Sequence, residues 1–231
     1  MRQILAQGVL TYRQELESLL VLVAIALILG PIAVLVAGLG IVVALLAIPI
    51  VLTLYFTTYA ACVQAAGFML RNQGPDPVRA YWYVLAHFRD IFRTTAPGVL
   101  LLAVILGSAL LISDLGAPFV GLMVGLLGAA AFFLWAARHA YDQPLILVHG
   151  VAVTETARTA ARLARGGQAW TLVLLAALSL PLLGVGLLSL GLAAAVTPPF
   201  GAIVFAVAVA LWLPLPAFSL TAACTRLVGA N

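Results

Sequence analysis

The chain has 231 residues, of which 65% are hydrophobic and only 8% charged, and it carries a formal net charge of +4. A mean hydropathy of +1.21 excludes an ordinary soluble domain, in which about a quarter of the residues are charged, and leaves the membrane class. All eleven basic residues are arginine.

In chain order, "MRQILAQGVLTYRQELESLL" has acidic residues ahead of its apolar run and no small-residue cleavage site, so a cleaved signal peptide is not expected. From Ser18 to Leu70 there is no charge. That run is too long for one crossing of about 30 Å of hydrocarbon at 1.5 Å per residue, and suits two. The same reasoning predicts six spans near residues 18–38, 41–69, 95–113, 116–137, 169–195 and 200–223. Within each pair the links are short and rich in Gly or Pro ("AGLG", "SDLGAP", "TPPFG"), which predicts three antiparallel hairpins. The expected fold is therefore all-α, a polytopic membrane protein with six transmembrane helices and one integral domain over 1–231. Three pseudo-repeat units, about 1–74, 75–150 and 151–231, each read as a polar lead-in followed by a hairpin.

The charge lies between the pairs. Arg2 and Arg13 precede the first span, and Arg71, Arg79, Arg89 and Arg93 lie between the second and third. Arg138, Arg158, Arg162 and Arg165 lie between the fourth and fifth, and Arg226 follows the sixth. Basic loops are retained in the cytoplasm, so both termini are expected there.

Two of these segments have helical amphipathicity. In "ETARTAARLARGGQAW" the residues Glu155, Arg158, Arg162 and Arg165 fall within an arc of about 80° at 100° per residue. Val153, Ala157, Ala160, Leu163 and Ala164 take the opposite face. Gly166-Gly167 marks the end and Trp170 an interfacial aromatic. In "DPVRAYWYVLAHFRDIFRTTAPG", Asp76-Pro77 form an N-cap and first-turn pair. There Arg79, Arg89, Asp90 and Arg93 share one face. Tyr81, Val84, Leu85, Phe88, Ile91 and Phe92 share the other. Helices of this kind lie in the membrane plane with arginines toward headgroups. Arg79, Arg89, Arg93, Arg158, Arg162 and Arg165 are thus candidate contacts for anionic lipid or an acidic protein partner, each contributing about 1 kcal/mol near an anionic surface.

Little points to catalysis. His139, Asp142 and His149 fall close together in "RHAYDQPLILVHG", but no recognised metal-ligand spacing, GxSxG, Walker A or GxGxxG motif occurs. The predicted spans hold no ionisable residue at mid-depth, where ion-coupled carriers usually need one. Pro49, Pro181, Pro214 and Pro216 with Gly184, Gly186 and Gly191 leave a second reading open: a transporter or lipid-handling protein with a cavity among kinked spans, "LPLPAF" being the hinge. Gly121, Gly125 and Gly128 in "GLMVGLLG" form a small-residue face for internal packing or for a homo-oligomer. Cys62 and Cys224 read as core thiols. No cofactor, metal or nucleic-acid partner is expected.

The order of "LAQGVLTYRQELESLLVL", "AAGFMLRNQGPDPVRAYWYVLAHFRDIFRTT" and "DQPLILVHGVAVTETARTAARLARGGQAW" resembles the six-helix membrane domain joined to some bacterial glycerophosphodiester phosphodiesterases. It also resembles related stand-alone bacterial membrane proteins. Leu145 to Val148, Gly150, Ala157 to Ala164 and Arg165-Gly166 fit that pattern, while His149 stands where an acidic residue is usual. In that family the hydrolase activity resides in a separate soluble domain, so the resemblance implies a non-enzymatic membrane domain.

Overall fold

A computed structural model describes residues 16–37, 39–166, 168–195 and 197–229. Arg2, Arg13 and the lead-in before Leu16 lie outside the described residues, as do Gly167 and the side chains of Ala164, Arg165, Trp170 and Gly191. The described residues form ten helices and no strand: α1 (Leu16–Ala37), α2 (Ile41–Leu70), α3 (Pro77–Ala86), α4 (Phe88–Asp114), α5 (Pro118–His139), α6 (Asp142–Leu147), α7 (Val153–Gly166), α8 (Gln168–Ala195), α9 (Pro198–Trp212) and α10 (Pro214–Gly229). Helices satisfy their backbone polar groups internally, the condition that lipid imposes. Four helical stretches are long and apolar enough to cross a membrane: Ile41–Leu70, Phe88–Asp114, Pro118–Leu147 and Phe200–Gly229. Two shorter apolar stretches, Leu20–Ile32 and Thr171–Gly186, lie within α1 and α8.

The long helices pack in the spatial order α8–α9–α1–α2–α4–α5, with α2 also touching α3, α6 and α10. Small residues set the spacing. Gly30 of α1 leaves the room through which Tyr55 of α2 reaches across to donate to the Ala206 carbonyl of α9, at 2.9 Å. Between α4 and α5 the register is antiparallel. Gly98 lies under the Trp135 ring, Gly128 against Ile105, and Gly121 against Ala109 and Ser113. The small-residue face of "GLMVGLLG" is thus used for internal packing.

Two elements differ from the expectation. The segment after Asp76 is not one in-plane helix. Asp76 caps α3 by accepting from the Arg79 N–H at 2.9 Å, α3 stops at His87, and α4 then runs without interruption from Phe88 through the apolar stretch to Asp114. Arg79 therefore sits on one helix, and Arg89 and Arg93 on the first turns of another. The second difference is α7, whose inner face is covered by protein. Thr156 and Ala160 are fully buried, and Ala160 and Leu163 join the cluster of Tyr141, Leu145, Leu174, Ala223 and Cys224. Ala157 stays exposed.

Proline chemistry loosens the last long helix at "LPLPAF" without ending it. Pro214 and Pro216 supply no N–H, so ladder bonds are lost between α9 and α10, while Leu213 keeps helical φ and ψ and the Ala217 N–H still bonds the Leu213 carbonyl at 3.3 Å. The α2 C-terminus closes differently. Asn72 takes a left-handed φ of 56°, and the Gln73 N–H bonds the Phe68 carbonyl at 2.9 Å, a Schellman closure that turns the chain back toward α3.

A Cβ on Gly128 would come within 2.3 Å of Ile105, whereas one on Gly184 meets nothing within 4 Å. Gly128→Leu is accordingly expected to destabilise the fold by about 1–3 kcal/mol through overpacking. Gly184→Ala should leave it unchanged or raise it by about 0.4–1 kcal/mol. Reversible unfolding in detergent checks the contrast.

Candidate functional site

The polar segments between the long helices gather at one end of the molecule. Tyr81 of α3 donates to the Leu22 carbonyl of α1 at 2.6 Å, and Arg71 donates from Nη2 to the Val148 carbonyl at 2.5 Å. The Tyr141 and Thr171 hydroxyls bond at 2.9 Å, and His149 Nε2 lies 3.3 Å from Thr225 Oγ1 of α10. These four links join residues far apart in sequence, so the arginine-bearing stretches share one surface.

In that surface lies a recess of about 350 Å3, within the range of about 300–1,000 Å3 usual for small-ligand sites. Gln64 and Phe68 on the last turns of α2, Arg71 and Gln73 just after it, and Arg79 and Tyr83 on α3 form one wall. Leu147, Val148, His149 and Gly150 form the other. Two features of the local fold build it. The Schellman turn at Asn72 folds α3 back beside α2. Gly67 lets Val148 approach, since a Cβ there would meet Val148 Cγ2 at 2.8 Å.

The lining is cationic and amide-rich. The Arg79 guanidinium lies 4.8 Å from the Phe68 ring centroid, a cation–π contact that holds it over the recess wall. Neither Arg71 nor Arg79 has a carboxylate partner among the described residues. Gln64 is only 3% exposed and its Oε1 has no hydrogen-bond partner. Burial lowers the His149 pKa below its ordinary value, and the neighbouring Arg71 charge lowers it further.

Of the arginines predicted as contacts, the recess includes Arg79 alone. Arg89, Arg93, Arg158 and Arg162 are exposed on α4 and α7, away from the recess lining, and the side chain of Arg165 lies outside the described residues. Sequence reasoning missed Gln64, Arg71, Gln73 and Tyr83 as partners. The available signal was Gln64 itself, a strongly polar amide inside the apolar "YAACVQAAGF".

The enzyme constellation is brought together only in part. His139 Nδ1 and Asp142 Oδ2 pair at 2.7 Å, and the His139 ring stacks on Trp135 with centroids 4.8 Å apart. Asp142 is buried, its Oδ1 unpartnered. His149 stands apart from this pair, on Thr225. Among the described residues no group of three or more His, Cys, Asp or Glu side chains is placed to hold a metal. Cys62 and Cys224 are both buried and free. The chain matches no family model, no curated protein and no solved structure.

The lowered pKa of His149 sets a pH dependence. Its imidazole stays neutral in the fold over a range where the unfolded chain, with a pKa of about 6.5, takes up a proton. Stability from this group is therefore complete above about pH 7, falls as pH drops below about 6.5, and levels off once the folded imidazole also protonates. His149→Asn should show a shallower loss of stability than the wild type between about pH 7.5 and 5.5, read from paired unfolding curves.

Proposed function

We propose that the chain is a non-enzymatic integral membrane protein with six spans in three hairpins and both termini cytoplasmic. Its arginine-bearing surface contacts anionic lipid headgroups or an acidic protein partner. The observation that carries this reading is the gathering of the charged segments at one end by the Tyr81, Arg71, Tyr141 and His149 links. With the basic residues on one side, the positive-inside rule favours that side as the cytoplasmic one, and a bacterial inner membrane is the membrane proposed.

Two observations support six spans. The helix α1 has 22 residues and α8 has 28, lengths of about 33 and 42 Å at 1.5 Å per residue. Both pack against α9, the first part of the apolar stretch Phe200–Gly229. The outward faces agree with lipid exposure. Val42, Leu46 and Ile50 of α2, Leu100 and Val104 of α4, and Phe119 and Leu127 of α5 are all more than half exposed. Exposed apolar area of this extent marks contact with lipid or protein.

At the charged end, Val78, Trp82 and Leu85 form an exposed apolar stripe on α3, while Ala80 and Val84 are buried against the core. Such a stripe suits the acyl boundary, with Trp82 at the interface. Glu155, Arg158 and Arg162 point outward from α7, and Arg165 follows on the same predicted face. The transporter reading has the ladder bonds lost at Pro214 and Pro216 in its favour. The recess, however, is lined by residues of the charged end and not by Pro49, Pro181 or Pro214.

Native mass spectrometry of the protein, extracted from its membrane in mild detergent, tests the proposal. Retained anionic lipid or a stoichiometric protein partner is the expected result. Replacing Arg158, Arg162 and Arg165 together by Gln should weaken retention by about 100-fold at low salt, from about 1 kcal/mol each. Retention indifferent to these three and to Arg79, Arg89 and Arg93 would sink the reading.

A further inference from the structure

We propose that α3 and the recess beside it form one phospholipid site. The lipid phosphate lies between Arg71 and Arg79, and the acyl chains begin against Val78, Trp82 and Leu85. The site rests on the lipid-contact reading proposed above and gives that contact a place and a set of atoms.

The placement of residues on α3 is the first support. At 100° per residue, Val78, Trp82 and Leu85 fall within an arc of about 60°. All three are more than half exposed, while Ala80 and Val84 are buried against the core. Arg79 and Tyr83 each follow a residue of that stripe by one position, about 100° round the helix, and both line the recess. The apolar stripe and the cationic wall are therefore adjoining faces of a single helix of ten residues. A phospholipid has the same division, one anionic phosphate joined to apolar chains. A soluble anion uses only one of these faces, and a bare hydrocarbon only the other.

The second support is that the donors are held. Arg71 follows the last turn of α2, and its Nη2 donates to the Val148 carbonyl, which leaves its other N–H groups for phosphate oxygens. The Arg79 guanidinium is held from a different element, over the Phe68 ring. No acidic side chain lines the recess. Asp76, the nearest carboxylate in sequence, is turned to the Arg79 N–H as a helix cap. At about 350 Å3 the recess takes a headgroup but not a pair of acyl chains, so the chains lie outside it, where the stripe is. Arg89, Arg93, Arg158 and Arg162 are exposed and do not line it.

The test uses the full chain in neutral detergent, with native mass spectrometry as the readout of bound lipid. Ammonium acetate is set at about 0.5 M, where the field of exposed charges is screened within about 4 Å and contacts at hydrogen-bond distance persist. Dioleoylphosphatidylglycerol is compared with dioleoylglycerol, which has the same chains and no phosphate. The wild type should bind the phospholipid about tenfold or more the tighter. Arg71→Gln and Arg79→Gln should each weaken phospholipid binding about tenfold or more. Trp82→Gln, which removes chain contact and no charge, should weaken it about tenfold. Arg158→Gln with Arg162→Gln should change it by less than about twofold. Arg79 and Trp82 are exposed, so unchanged lipid-free unfolding temperatures in these two variants separate lost binding from lost folding, which Arg71→Gln alone does not. An equimolar amount of inorganic phosphate should leave the lipid bound; displacement by it makes soluble phosphate the occupant and overturns the lipid site. Equal binding of the two lipids also overturns it, as does phospholipid binding indifferent to Arg79→Gln or to Trp82→Gln, or none at this salt. Phospholipid bound only at low salt, and lost when Arg158 and Arg162 become Gln, overturns the site and leaves the surface reading standing. No lipid and no protein partner at any salt removes both.

Discussion

The structure depends on how closely other elements approach one stretch of α2. From Thr58 to Phe68 every residue except Tyr59 is buried, and the side chains are mostly small: Ala60, Ala61, Ala65, Ala66 and Gly67. Small side chains let helix backbones come near enough for dispersion contacts, which matter most where lipid tails compete equally for apolar surface. Around this stretch α3, α6 and α10 converge, and they bring Val84, Val148, Ala217 and Phe218 into one core. The other half of α2 is different. Val42, Leu46 and Ile50 are largely exposed. The molecule is thus tightly knit at its polar end and loosely dressed along the rest, and function is sought where the packing is tight.

Much of this was legible from local chemistry. The apolar runs, the capped start at Asp76, the small-residue face at Gly121, Gly125 and Gly128, and the ladder bonds lost at Pro214 and Pro216 each depend on neighbours within a turn or two. The pairing of His139 with Asp142 follows from an i, i+3 spacing. The recess was not legible, because its walls come from residues some 77 positions apart in the Arg71–Val148 bond. Periodicity alone also misassigned two faces. It merged α3 with the start of α4, where His87 interrupts the helix. It gave the inner face of α7 to lipid, where Tyr141 and Leu145 already cover it.

Buried polar groups divide the charged end into two kinds of site. Tyr141 with Thr171 and Tyr81 with Leu22 are closed pairs that tie elements together. Gln64, Asp142, Gln143 and Ser219 each keep an oxygen buried and unpartnered. Asp142 has its other carboxylate oxygen on His139, and Gln143 and Ser219 do not line the recess. Gln64 differs in that its side chain borders the recess, although the unpaired oxygen itself is buried.

Attraction and recognition make different demands on the proposed surface. Arginines on α4 and α7 act through a field that salt screens over roughly 10 Å, and a field of that range does not distinguish one anionic headgroup from another. Recognition needs donors held in fixed directions, because a polar group left unpaired penalises the wrong partner. Arg71 and Arg79 come nearest to that, one tied to the Val148 carbonyl and the other held over the Phe68 ring.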